Sequence, residues 1–396
     1  AGTTSPLAGG FSPFTLTVSR ADGQQYLSTI GAQLPPGLSD VLKSVPLCPE
    51  PQASSGGCPQ ASEIGTATVA AGAGALPLHL SGPVYLTGPY GGAPFGLAIV
   101  VHAIAGPFDL GTEVVRTSIA VDPTDAHLTI LSSRLPTILA GVPLRLRTVN
   151  VTITRQDFML NPTDCDPLAL KGAISSTDGS VESVSYPFQV GGCAGLPFAP
   201  KISVLTRGRT SRANGAYLHL KITSGPGQTN IGKVKVRLPK QLPSRLTTLQ
   251  KACPAGVFEA NPASCPAGAL VGTGTAATPL LKNPLAGPAY LVSHGGAAFP
   301  DLVIVLQGEG ITLDLDGKTN ISEGVTSSTF ASLPDTPIST FDLVLSAGPH
   351  SLLAANTNLC KARLAMPAAL VGQDGAVVRR TAKVAVTGCA KAKKKA

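Results

Sequence analysis

The chain has 396 residues, of which 43% are hydrophobic and 13% charged, with a formal net charge of +8. That length holds two or three ordinary domains, and the apolar share excludes a disordered chain even though Gly (44) and Pro (35) are abundant. Without Trp and with two Met, the core has to be built from Val, Ile, Leu and Ala; no apolar run reaches the roughly 18 residues of a membrane-crossing helix.

From the N-terminus, residues 1–10 are apolar and Gly-rich and read as an arm. Val18-Ser-Arg-Ala-Asp-Gly23 follows, with Asp22-Gly23 as a turn signal. Leu34-Pro-Pro-Gly-Leu-Ser-Asp-Val-Leu42 is expected to form one or two helical turns ahead of Cys48-Pro and Cys58-Pro. Leu80-Ser-Gly-Pro-Val-Tyr-Leu86 and Gly91-Gly-Ala-Pro-Phe95 lead into the most apolar stretch, Phe95 to Ile104, which has strand length. Thr148-Val-Asn-Val-Thr-Ile153 alternates with period two. Asn161, Cys165, an Asp178-Gly179 turn and Val190-Gly-Gly-Cys193 close this stretch.

The pattern then begins again. Thr210-Ser-Arg-Ala-Asn-Gly215 echoes Val18 to Gly23, and Tyr217-Leu-His-Leu-Lys-Ile222 and Lys233-Val-Lys-Val-Arg-Leu238 are alternating strands. Leu242 to Leu249 is a second candidate for helical turns, ahead of Cys253-Pro and Cys265-Pro. Leu285-Ala-Gly-Pro-Ala-Tyr-Leu291 matches Leu80 to Leu86, and Gly295-Gly-Ala-Ala-Phe299 matches Gly91 to Phe95. Asp316-Gly317 and Asp374-Gly375 read as turns, Ala382 to Thr387 as a strand, and Asn356, Cys360 and Cys389 repeat the first copy's closing residues. The expected organisation is an arm (1–10), one β-domain (11–197), a second (198–389) and a disordered Lys-rich tail (390–396), which carries Lys391, Lys393, Lys394 and Lys395. Many short strands between Gly/Pro turns make the class all-β: two tandem homologous β-sandwich-like domains with short helical turns, each closed by two disulfides.

The cysteines share one frame, with intervals of 10, 107 and 28 residues in the first copy and 12, 95 and 29 in the second. Four per copy allow three pairings. The short intervals favour Cys48 with Cys58, Cys165 with Cys193, Cys253 with Cys265 and Cys360 with Cys389. Zinc sites use closer C-x₂₋₄-C spacing, so no metal is expected there. Persistent disulfides imply a secreted or cell-surface location.

Between Lys201 and Lys251 every charge is positive. Lys233, Lys235 and Arg237 are expected on one strand face, near Arg207, Arg209 and Arg212, as an anion-binding field. The plain alternative is a solvated edge strand whose lysines block aggregation. Tyr217 is the lone interleaved aromatic, so nucleic acid is not an expected partner.

The six histidines form no ligand or catalytic spacing. Ser293-His294-Gly295-Gly296 has a faint likeness to an esterase oxyanion loop but lacks the G-x-S-x-G elbow, and reads as a turn. Asp314-Leu-Asp-Gly-Lys-Thr-Asn320 with Glu323 misses the EF-hand pattern and reads as a hairpin turn, with a weak loop calcium site as the alternative. No catalytic residue, metal or cofactor is expected.

Ser12-Pro-Phe14, Leu34-Pro-Pro-Gly-Leu38, Gly82-Pro-Val-Tyr-Leu86, Gly106-Pro-Phe-Asp-Leu110, Val121-Asp-Pro123 and Asn161-Pro-Thr-Asp-Cys165 together resemble uncharacterised, secreted tandem-repeat β-proteins of soil actinobacteria. The second copy departs from them at Gly308-Glu-Gly-Ile-Thr312. The resemblance implies export and repetition and brings no active site. The functional expectation is a non-enzymatic extracellular structural or adhesive cell-surface module, with other copies of itself or a cell-surface polymer as partner. One alternative is a subunit of a surface fibre or layer, assembled when the segment Ala1 to Phe14 adds a strand to a neighbour. The other is a binder of anionic cell-wall polymer through the basic strand face.

Overall fold

The computed structural model describes residues 1–389; the Lys-rich tail expected over 390–396 lies outside the described residues. The chain is almost entirely β and forms two compact units. The first comprises Ala1–Asp122, Ala126–Leu196 and Leu280–Lys282; the second comprises Pro123–Asp125, Pro197–Pro279 and the chain from Asn283 onward.

In the first unit the main strands are β1 (Phe14–Ser19), β2 (Leu27–Gln33), β3 (Glu63–Ala71), β4 (Leu78–Thr87), β5 (Phe95–Ala105), β6 (Phe108–Val121), β7 (Leu128–Ser132), β8 (Leu146–Ile153), β9 (Leu168–Ser176) and β10 (Val181–Phe188). They hydrogen-bond in the order β1-β8-β3-β4-β5-β6-β7-β2-β9-β10, and Gly2–Thr3 pairs with the free side of β1. Period-two alternation sends one side of each strand inward, where Val18, Leu27, Ala71, Leu135 and Leu146 pack together.

The second unit has β11 (Lys201–Arg207), β12 (Leu218–Thr223), β13 (Ile231–Arg237), β14 (Leu270–Ala277), β15 (Leu285–Ser293), β16 (Asp301–Gly308), β17 (Ile311–Ser322), β18 (Val325–Phe330), β19 (Thr340–Leu345), β20 (Ala365–Gly372) and β21 (Val377–Thr387). Its order is β12-β19-β14-β15-β16-β17-β18-β13-β20-β21, with β11 pairing antiparallel to β12 and parallel to β21. This is the first unit's order with each strand shifted by the same step, from β1 and β12 through to β10 and β21. β11 closes the second unit's strands into a ring. In the first unit the N-terminal segment takes the matching place, flanking β1 through Gly2–Thr3 and meeting Gly191, beyond β10, through a parallel bridge at Leu7.

That topology corrects the reading of residues 1–10 as a separate arm. Ala8 is buried, its N–H donates to the Gly191 carbonyl, and Asn161 Nδ2 donates to the carbonyls of Ser5 and Leu7. The segment supplies its strand to its own unit, and the first unit's other edge is β10. The echo between Val18–Gly23 and Thr210–Gly215 is also set aside: the former spans the end of β1 and the turn after it, whereas the latter precedes β12, the strand equivalent to β1.

Four disulfides join Cys48 to Cys58, Cys165 to Cys193, Cys253 to Cys265 and Cys360 to Cys389. Helical turns lie inside the short cysteine loops, at Gln52–Ser55 and Ala255–Ala260, and a third spans Leu246–Leu249. Leu34 to Leu42 is not helical as expected. Consecutive prolines disfavour the helical region for the residues before them, and Gly37 turns at φ +86°. Ser39–Asp40 then pairs with Met159–Leu160. Asp316-Gly317 is not a turn either, because it lies inside β17. Gly317 pairs with Phe330, and a Cβ there would run into the Phe330 ring. Close packing, not a bend, requires that glycine.

Candidate polyanion-binding face

The alternation that buries Val234 leaves Lys233, Lys235 and Arg237 on the outward side of β13, all exposed. β13 is hydrogen-bonded to β18 on one side and β20 on the other. It is therefore not an edge strand, and its lysines are not there to guard an open edge. This overturns the plain alternative.

Register shows which cations gather. Lys235 pairs with Ala369, and Ala369 pairs with Arg379 on β21. On the other side Lys235 pairs with Thr329, which pairs with Lys318 on β17. Lys318, Lys235 and Arg379 thus share one rung, with Lys235 two strands, or about 10 Å at the usual strand spacing, from each of the other two. Lys383 projects from the same side of β21, and Lys201 and Arg207 from the same side of β11. No acidic residue stands on the outward side of β11, β21, β20, β13 or β18. Asp342, outward on β19, is engaged by His219 Nε2 at 2.6 Å and Lys221 Nζ at 3.6 Å, and on β17 Asp316 stands outward two residues from Lys318.

The field differs from the expected one in its far members. Arg207 pairs with Thr387, six residues along β21 from Thr381, which stands at the level of Arg237. That separation is about 20 Å along the strands and about 14 Å across them. Arg209 and Arg212 lie farther on, in the loop beyond β11. The structure does not bring Arg207, Arg209 and Arg212 beside Lys233, Lys235 and Arg237. The Arg207 guanidinium instead lies 4.2 Å from the ring centroid of Tyr217 and covers that aromatic face. The cations that do join β13 are Arg379, Lys383, Lys318 and Lys201. Sequence order hid the first three, since only the pairing through β18 and β20 carries them across.

The equivalent face of the first unit is nearly neutral. β2, the counterpart of β13, turns Thr29, Gly31 and Gln33 outward, and their partners on β9 are Ser175, Ala173 and Lys171. One strand order carries both faces, so the fold does not demand the charge.

No protein-family model matches the chain, and no curated protein matches it. Among solved structures it is similar to the C-terminal domain of the AgI/II polypeptide BspA of Streptococcus agalactiae, with 10% identity, TM-score 0.21, and 94% of this chain and 99% of that chain covered. It is also similar to the type II cohesin dyad from the adaptor ScaA scaffoldin of Acetivibrio cellulolyticus (9% identity, TM-score 0.23, 97% and 95% covered). A third is the MSCRAMM ACE of Enterococcus faecalis (8% identity, TM-score 0.23, 97% and 92% covered). Likeness at this level carries no argument about function.

Proposed function

We propose that this protein is a non-enzymatic, extracellular adhesive module that holds a polyanionic cell-surface polymer on the outward face of β11, β21, β20, β13 and β18. The observation that carries the reading is that the outward side of these five strands bears cations and no acid, at a place where the equivalent strands of the other unit are nearly neutral. Like charges set side by side cost self-repulsion, and an anionic partner relieves it. Exposed, flexible lysines spaced along a flat face suit a repeating anion better than one small ligand in a pocket. Tyr217 is already covered by Arg207, so base stacking adds nothing here. Disulfides support a location outside the reducing cytosol.

The test is retention of the full chain on immobilised teichoic acid at low salt. Binding should fall steeply as salt rises, and Lys235→Glu with Arg379→Glu should remove it. Charge reversal at Lys171 on the first unit should change little. No retention at low ionic strength, or equal loss from both units' variants, would sink the proposal.

A further inference from the structure

The second unit holds another cluster, away from the basic strands' centre. His294 follows β15, Asp301 opens β16 and Asp316 lies on β17, three adjacent strands. Val292 pairs with Asp301 and Val303 with Asp316, so alternation sends all three side chains to the outward side. They face a cavity of about 350 Å³ also lined by Phe299 and Lys318.

One ligand atom from each residue lies within 4.8 Å of the others. His294 Nε2 is sealed from solvent and has no hydrogen-bond partner. It sits 3.6 Å from Asp301 Oδ2, too far for a hydrogen bond. Asp301 is buried, and its Oδ1 accepts the Thr319 backbone N–H, which turns Oδ2 toward His294. A solvent-sealed imidazole nitrogen with no hydrogen-bond partner, facing a carboxylate oxygen at this distance, leaves room for both to share one cation. Two ligands on one ion at about 2.0–2.2 Å stand roughly 3–4 Å apart, so a small closure of these side chains completes a site.

The first unit supplies a contrast. Tyr90 precedes the Gly-Gly-Ala phrase there as His294 does here. Gly96 pairs with Thr87 as Asp301 pairs with Val292, and Arg116 pairs with Ala98 as Asp316 pairs with Val303. Arg116 lies 4.5 Å from the Tyr90 ring centroid and 2.6 Å from Glu50 Oε1. At this position the first unit carries its own cation, whereas the second presents an imidazole and two carboxylates.

We infer that His294, Asp301 and Asp316 bind one divalent transition-metal ion of the zinc class. One imidazole and two carboxylates favour zinc or manganese over the all-oxygen shells of calcium and magnesium. The ion would tie the ends of three neighbouring strands together and take the structural place that Arg116 holds in the first unit.

Calorimetric titration of the chelator-treated full chain with zinc chloride tests this. One site should appear, with magnesium and calcium far weaker. Co²⁺ should give ligand-field absorption carrying one nitrogen donor. His294→Ala and Asp301→Asn should each weaken zinc more than about a hundredfold, above the loss typical of an outer-shell partner. The double variant His294→Tyr with Asp316→Arg copies the first unit; it should keep the far-UV circular dichroism and the cooperative thermal transition and lose the site. Zinc binding unchanged in these variants, preference for calcium, or no zinc binding by the native chain would each overturn the inference.

Discussion

Asp40 makes the stability of the first unit depend on pH in a direction opposite to that of most carboxylates. Its pairing with Met159 holds it against Leu34, Ile64, Ile153 and Phe158, around an apolar cavity of about 100 Å³. Oδ1 has no hydrogen-bond partner. Burial pushes the carboxyl from its ordinary 3.8 up to about 7. The folded chain therefore keeps a proton that the unfolded chain releases as pH rises through the acid range. Stability from this group is fully present below about pH 4, declines as pH rises and is gone above about pH 7. At 1.36 kcal/mol per pH unit the loss is about 4 kcal/mol at most. For a unit of this size that is a fall of roughly 8–16 °C in melting temperature. Asp40→Asn keeps the shape and removes the titration. Scanning calorimetry of the full chain, native and variant, between about pH 4.5 and pH 8 measures the difference for the transition that the substitution moves. Native protein should lose stability relative to the variant as pH rises. The difference also removes the contribution of Glu113 and Asp314, whose carboxyls burial likewise raises. Parallel curves for the two proteins would refute the reasoning.

Three further outcomes follow from the packing. Gly82→Ala and Gly287→Ala should each destabilise by about 3 kcal/mol or more, because the added Cβ would run into the carbonyl oxygens of Val100 and Val305; urea denaturation reads this directly. Removing the Cys48–Cys58 bridge, which spans 10 residues, should cost about 2.7 kcal/mol, and removing Cys165–Cys193, which spans 28, about 3.6 kcal/mol. Calorimetry of Cys→Ser pairs should preserve that ranking. Binding to teichoic acid should show a salt slope that shrinks by a similar step for each of Lys233, Lys235, Arg237 and Arg379 changed to Gln, since each contributes one released counterion.

What the sequence shows plainly is whatever rests on near neighbours. Alternation along Lys233–Arg237 and Leu218–Thr223 locates β13 and β12, and the short cysteine intervals match the bonded pairs. The Gly-Pro-x-Tyr-Leu phrases fall on β4 and β15, which hold the same place in the two strand orders. What the sequence hides is set by pairing between distant segments. His294 and Asp301 are only seven residues apart, but Asp316 reaches them through the β16–β17 hairpin, and a Gly beside an Asp suggested a turn there. Arg379 sits 144 residues after Lys235, yet one intervening strand puts them on the same rung. The N-terminal segment looked like a free arm because its partners, Asn161 and Gly191, lie far along the chain.

The two units together give a sharper test of the basic face than binding alone. If Lys233, Lys235, Arg237, Arg379 and Lys383 serve the fold, neutralising them should destabilise the second unit. If they serve a ligand, it should not. The first unit builds the same neighbourhood with Thr29, Gly31 and Gln33, so the backbone pairing does not depend on charge. All five side chains are exposed, and the side chains beneath them, Val234, Leu370 and Val384, are buried whatever stands outside. Exchanging the five for Gln should therefore shift stability by no more than about 0.5 kcal/mol per site. Relief of like-charge repulsion should make the net change favourable at low salt and smaller at high salt. Retention on teichoic acid should disappear in the same protein. A loss of stability well beyond those bounds would show that the cations hold the sheet together, and the polymer-binding role would lose its main support.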